Sequence, residues 1–351
     1  MTLKLPTEWH YAHGLPVSQA LFKQQSADFI VREKLGYEPC GEGEHLYVWL
    51  RKTDLNTAFV AEQLARHCKI PLRNVSYAGR KDKFAVSEQW FGIHLPGKRD
   101  IDWTGFSLDG TEILASKRHN KKLRTGQLIG NHFEIRLRNL SHPEAFTQRL
   151  ALVQQAGVPN YFGEQRFGVR KFGDGQLQQG GNLDLAERMV QGESIRNRNK
   201  RSMAISALRS WLFNHVVSER IAAQTDHAIL VGDALKLAGS NSFFVANTVD
   251  AELERRLIER DIELTAPMWG SGGLACVSAA RKFELGCVEP YRAVANSLEQ
   301  LGLKQERRAL NVFPNNLSWQ FDKNDVTLKF DLPAGCFATA VIRELTQTEQ
   351  E

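Results

Sequence analysis

Residues 74–95 read NVSYAGRKDKFAVSEQWFGIHL. Residues 74–78 carry β-branched and aromatic side chains and residues 87–95 alternate in part, so both segments read as strands. Between them stands Ala78-Gly79-Arg80-Lys81-Asp82-Lys83, in which one carboxylate is set among three cations. Gly79 is expected to permit a sharp bend. A solvated surface turn has the same composition, but loops held by a rigid sheet are where reactive side chains are commonly carried. Nearby cations favour an ionised Asp82, which suits a nucleophile or a ligand for developing positive charge better than a general acid.

Outward from this stretch the chain keeps a mixed α/β (α+β) texture. Residues 29–35 and 45–52 read as strands, and Phe133-Glu134-Ile135-Arg136-Leu137-Arg138 alternates strictly, the pattern of a half-buried strand. Asn56 is a candidate N-cap for a helix running to about Cys68, with Val60, Leu64 and Cys68 on one face. Ser141-His142-Pro143-Glu144 has capping-box spacing and predicts a helix that Gly157 ends. Beyond Gly157 the texture changes: a Gly- and Gln-rich stretch at 173–182 precedes expected helices near 206–223, 251–261 and 291–301. The strand pattern returns at 317–321 and 326–332, flanking Lys323-Asn324-Asp325 as a hairpin, and a helix to Leu345 follows. The C-terminal strands can rejoin the N-terminal sheet, making the middle block an insertion.

With 351 residues, 42% hydrophobic and 24% charged, the chain suits two domains with full cores. Its apolar runs fall short of a membrane span and its N-terminus lacks signal-peptide character, so a cytoplasmic location is the expectation. Five scattered cysteines without a C-x-x-C pair read as reduced thiols. His10 and His13 form an H-x-x-H without further ligands at matching spacing, and Gly270-Ser271-Gly272-Gly273 lacks the Lys and Ser/Thr of a phosphate loop. Neither a metal nor a cofactor is expected.

The net charge of +5 is modest, but its distribution is uneven. Residues 117–124 hold five Lys or Arg, and Arg196-Asn197-Arg198-Asn199-Lys200-Arg201 holds four in six positions. Such clusters match phosphate spacing on a nucleic-acid backbone and also suit a plain solvated face. In residues 160–172, Tyr161, Phe162 and Phe167 are interleaved with Arg166 and Arg170; these rings can stack on bases or fill a core.

Six blocks together carry a family resemblance: Lys23 with Asp28-Phe29-Ile30-Val31, Gly41-Glu42-Gly43-Glu44-His45-Leu46, Ala78 to Lys83, Gly130-Asn131-His132-Phe133, Asn160 to Gly168, and Leu332-Pro333-Ala334-Gly335-Cys336-Phe337-Ala338-Thr339. In order and spacing the chain resembles the TruD family of tRNA pseudouridine synthases over nearly its whole length. The resemblance implies a pseudouridine-synthase mixed-sheet catalytic domain at 1–156 and 312–351, interrupted by a TruD-specific α/β insertion domain at 157–311. It implies uridine 13 of tRNA as substrate, no cofactor, and Asp82 as the catalytic carboxylate. By the same similarity Phe133 stacks on the extruded uracil, with Asn131, Phe29 and Phe337 near the nucleotide. Lys23 and Arg343 are candidate basic partners of Asp82 or a phosphate, and Lys81 a further substrate contact. Read from the residues alone, each of these phenylalanines would be assigned to the core. Arg80, and the long stretch 169–176 after Gly168, depart from the family's pattern. A monomer with tRNA as its partner is expected.

Two other classes use similar residues. A metal-dependent phosphoesterase or nuclease needs several converging carboxylates, whereas this loop supplies one. A non-catalytic RNA-binding or RNA-folding protein would keep the basic clusters and have no use for Asp82.

Overall fold

The computed structural model describes residues 5–97, 101–171, 177–240 and 242–349. The chain divides into two compact units. One comprises Pro16–Gln154, Pro314–Ala338 and Leu345–Glu351, the other Met1–Leu15, Gln155–Phe313 and Thr339–Glu344. Among the described residues no helix is long and apolar enough to cross a membrane.

The first unit is built on a mixed sheet. Its strands are β1 (Gln19–Phe22), β2 (Phe29–Lys34), β3 (His45–Thr53), β4 (Val75–Tyr77), β5 (Val86–His94), β6 (Thr111–His119) and β7 (Gly130–Arg138), joined by Asn315–Asp322, Asp325–Pro333 and Gln347–Glu349. The main path runs from the Asn315–Asp322 hairpin strand through Asp325–Pro333, β7, β2, β5 and β3 to β6. The pairs β2–β5 and β1 with Gln347–Glu349 are parallel. The hairpin expected near the C-terminus forms, turning at Lys323 with φ 55°. Its second strand pairs with β7 from Val326 opposite Leu137 to Pro333 opposite Gly130, so the C-terminal strands do rejoin the N-terminal sheet.

Alternation governs these strands. In β7, Phe133, Ile135 and Leu137 are buried while Glu134, Arg136 and Arg138 are partly exposed. Helix α1 (Thr57–His67) lays Val60, Ala61, Leu64 and Ala65 against Leu46, Val48, Leu50, Phe91 and Ile93, each large side chain contributing roughly 1.5–3 kcal/mol by burial. Asn56 occupies the N-cap position, yet its side chain makes no capping hydrogen bond. The capping box at Ser141 is not formed. Helix α2 (Pro143–Ala156) starts at the proline, which suits a first helical position, and His142 before it takes a left-handed φ of 51°, outside the right-handed helical range. The Ser141 hydroxyl instead accepts from the Gln19 amide at 2.8 Å.

The second unit is mainly helical. Helices α3 (Gly181–Val190) and α4 (Arg198–Ala222) pack on each other, α4 also meets Ser278–Val288 and Arg292–Gln300, and Ala251–Ile258 lies against the short strand Ile262–Glu263. Helix α4 buries Leu208, Trp211, Leu212 and Val216 completely and begins eight residues before its expected start. The four cations of the second basic cluster therefore sit at the helix's beginning, all exposed, with Asn197 as N-cap accepting from the Lys200 amide. Tyr161, Phe162 and Phe167 are all buried here, so they serve as core rather than as stacking platforms. The Tyr161 hydroxyl donates to the His10 carbonyl at 3.0 Å, and Phe162 meets Phe213 edge to face. Phe172 and residues 173–176 lie outside the described residues. His10 bonds to Ser218 and His13 to the Gly157 carbonyl. Deeper, Arg307 grips Glu284 with two bonds of 2.9 and 2.7 Å, and the Cys276 thiol meets the same carboxylate at 3.0 Å.

Candidate active site

Directly opposed residues on neighbouring strands share one face of a sheet. The register Phe330, Phe133, Val31, Ser87, Lys52 thus draws a single row across five strands. A second row runs Leu332, Asn131, Glu33. On this face Phe133 stacks against Phe330 with ring centroids 5.6 Å apart and meets Phe29 at 6.1 Å, while Phe22 closes on Phe29 at 5.9 Å. Phe29 and Phe133 are 5% and 6% exposed, so both are core rings as well as candidate ligand contacts.

The charged loop between β4 and β5 is tied to this face by lysines. Lys23 donates to the Asp82 carboxylate at 2.9 Å, and its ammonium lies 3.9 Å from the centre of the Phe29 ring, a cation–π contact. Its position follows from the strands: β1 and β2 lie along the same edge of β7, and the chain leaves that edge after Phe22 and rejoins at Phe29. Lys23 opens the excursion with φ 57°, a left-handed conformation that costs about 1–2 kcal/mol. Arg138 closes it through a 2.7 Å pair with the buried Asp28. Gly79, by contrast, has no left-handed φ and a Cβ there would meet nothing, so the bend does not depend on glycine.

Lys81 turns inward, its ammonium 2.7 Å from Glu33, whose second oxygen accepts from the Trp90 amide at 2.9 Å. Burial pushes the Glu33 carboxyl above its ordinary value, opposed by Lys81. The Lys81 amide donates to Thr57 at the start of α1, and Thr57 donates to Gln89. Lys52, which the sequence reading did not single out, donates to the Asp82 carbonyl at 2.9 Å. A signal for it existed: Lys52 is in phase with the inward-facing Leu46, Val48 and Leu50 of β3, as Glu33 is with Phe29 and Val31 of β2. A charged residue in core register is a flag that strand reading alone can raise.

Lys23, Phe29, Asp82 and Phe133 therefore stand in one connected cluster, with Asn131 and Lys81 tied to the same sheet face. The Asn131 Oδ1 and Gln89 Nε2 atoms are buried without a hydrogen-bond partner among the described residues. Phe337 follows the strand Asp325–Pro333 in the next turn, half-buried. Arg343 belongs to the other unit. There it donates to the Trp9 carbonyl and to Glu344, and its guanidinium lies 3.6 Å from the Tyr11 ring centre, which fastens the N-terminal segment. Among the described residues no group of three or more His, Cys, Asp or Glu is placed to hold a metal ion.

A mixed sheet bearing a lysine-held carboxylate loop beside a phenylalanine row defines a mixed α/β protein with a carboxylate-centred site. The family model described as TruD, tRNA pseudouridine synthase D, matches residues 8–174 and 188–345. The chain belongs to the TruD family. It is 51% identical over 341 residues to the tRNA pseudouridine synthase D of Pseudoalteromonas atlantica, covering 97% of this chain and 96% of that one. It is 48% identical over 340 residues to the protein of the same name from Aeromonas hydrophila, with 97% and 94% covered. A Methanosarcina mazei chain, solved by crystallography under the TruD name, shares the fold at a TM-score of 0.71, with 21% identity and 98% of each chain covered.

Proposed function

We propose that this protein isomerises uridine 13 of tRNA to pseudouridine, with Asp82 as the reactive carboxylate. The N1–C1′ bond of the nucleotide breaks, a C5–C1′ bond forms, the C5 proton departs and N1 gains one, so no electrons are exchanged. The observation that carries this reading is the placement of Asp82: its carboxylate is oriented by Lys23 at 2.9 Å beside the Phe29–Phe133 cluster, in a family whose named members are tRNA pseudouridine synthases. Extruding the target base costs a few kcal/mol, which contacts of the kind offered by Phe29, Phe133, Phe337 and Asn131 offset. Asn131 supports this role because its buried acceptor Oδ1 has no hydrogen-bond partner among the described residues, and an imide N–H such as that of uracil is a matching donor.

In this reading residues 1–156 and 312–351 form the catalytic domain and 157–311 the insertion, although residues 1–15 and 339–344 group with the insertion's compact unit. The insertion's cations at Arg196, Arg198, Lys200 and Arg201 then meet tRNA phosphates. What supports that assignment is the cost of leaving them where they are: cations at a helix N-terminus oppose the helix dipole, and no acidic residue in the first turn of α4 compensates. Lys81 acts through Glu33 and the loop, and Arg343 through the N-terminal segment. A cytoplasmic monomer without metal or cofactor completes the assignment.

The deciding experiment maps pseudouridine chemically in unmodified tRNA incubated with the pure protein, as wild type and as Asp82→Asn. Wild type is expected to modify position 13 and the variant to bind tRNA without forming product. Turnover by Asp82→Asn near the wild-type rate refutes the assignment and leaves an RNA-binding or RNA-folding role.

A further inference from the structure

Lys52 is wholly buried, a rare place for an ammonium. Charge brought out of water is normally compensated by a paired opposite charge, yet no carboxylate lies within ion-pair distance of Lys52 among the described residues. Its partners are two neutral oxygens, the Asp82 carbonyl at 2.9 Å and the Ser87 hydroxyl at 3.4 Å. Packing alone would be better served by an apolar side chain in phase with Leu46, Val48 and Leu50. The position therefore keeps a costly group whose contact is with the backbone of the reactive residue.

We propose that Lys52 is a positioning residue, whose buried ammonium fixes the main chain at Asp82 and loosens its hold when the proton is lost. The division of labour with Lys23 is geometric. Lys23 meets the Asp82 carboxylate and orients the side chain, while Lys52 meets the Asp82 carbonyl and sets where that side chain departs from the backbone. The inference rests on Asp82 being the reactive carboxylate.

The surroundings make this hold sensitive to pH. Facing Lys52 are Asp82 and Lys81 from the loop, Asp54 beyond the end of β3, and Glu33 from β2. Burial pushes the Lys52 ammonium down to about 8; Lys81 adds to the effect and the three carboxylates oppose it. A charged donor makes a stronger hydrogen bond to a carbonyl than a neutral amine. Below about pH 8 the hold is charge-assisted, and it weakens as pH rises through that value.

The test is single-turnover modification of an unmodified tRNA transcript at saturating full-length protein, between pH 6 and 9, for wild type, Lys52→Met and Lys52→Arg. tRNA affinity and urea stability are measured at each pH. Lys52→Met is expected to lower the rate constant about 10- to 100-fold at pH 7 with unchanged affinity, and to lack the alkaline fall expected of wild type near pH 8. Lys52→Arg, charged throughout, should recover part of the rate and move the fall to higher pH. Should Lys52→Met not fold, the Lys52→Arg profile decides: a fall that stays at the wild-type pH overturns the proposal. A Lys52→Met rate within twofold of wild type, or one that keeps the alkaline fall, also overturns it. If Asp82→Asn is inactive in the same assay, such a result counts against Lys52 alone. If Asp82→Asn is active, the functional reading beneath it fails.

Discussion

Truncating Phe133 to alanine should damage two things at once, and the structure allows them to be separated. Phe133 is 6% exposed and packed between Phe330 and Phe29, so Phe133→Ala removes a core ring and should cost roughly 3–5 kcal/mol of stability. Phe133→Leu retains most of the volume and should cost about 1–1.5 kcal/mol. Loss of stacking on an extruded base is worth about 1–3 kcal/mol, or roughly 5- to 150-fold in rate, and both variants lack the ring. Against an ordinary stability of about 5–15 kcal/mol, Phe133→Leu remains mostly folded whereas Phe133→Ala at the low end of that range does not, so urea titration gives the folded fraction and single-turnover rates can be corrected for it. The corrected rate of Phe133→Leu should still fall within that range while tRNA affinity, dominated by backbone contacts, changes little. A corrected Phe133→Leu rate equal to wild type would refute stacking and leave Phe133 as a core residue only.

Replacing Arg196, Arg198, Lys200 and Arg201 together with alanine should weaken tRNA binding and reduce the slope of log affinity against log salt by up to about 3, with turnover at saturating tRNA little changed. Thermal stability should hold or rise slightly, since cations leave a helix N-terminus; an unchanged salt slope would mark the cluster as a solvated face. Cys40 is exposed, whereas burial, reinforced by Glu284 and Glu219, pushes the Cys276 and Cys287 thiols up to about 12. Iodoacetamide at pH 8 followed by mass spectrometry should therefore modify Cys40 first and reach Cys276 and Cys287 only on unfolding.

The sheet was largely legible in the sequence because period-two alternation survives wherever one strand face is buried, as in Phe133, Ile135 and Leu137. Helix starts were less so. The first turns of α4, before Ala204, contain mainly polar side chains, so no apolar periodicity announces a helix until its buried face begins. Ser278–Val288 escaped notice because its inward face includes the charged Glu284, satisfied by Arg307 only in the folded unit. At the candidate site, the residues of the AGRKDK loop were visible as chemistry, but their partners were not. That Lys81 meets Glu33 and Lys52 meets the Asp82 carbonyl depends on strand register, which fixes neighbours distant in sequence. Arg343 shows the converse: a plausible catalytic cation in the sequence is engaged in holding Trp9 and Glu344.

The pairing of β7 with the C-terminal hairpin bears on how the protein is made. Leu332 lies opposite Asn131 and Gln347 opposite Gln19, partners separated by about 200 and more than 300 positions of chain. During synthesis β7 emerges with one edge bare, and that edge stays unpaired while the whole helical segment is translated. An uncovered strand edge is a template for pairing with other chains. Fast folding of residues 155–313 and prompt release of the C-terminus then become conditions for solubility. A truncation just before Asn315 would leave Phe133 and Ile135 on an open edge, and the fragment would be expected to aggregate even though every residue of the AGRKDK loop is present.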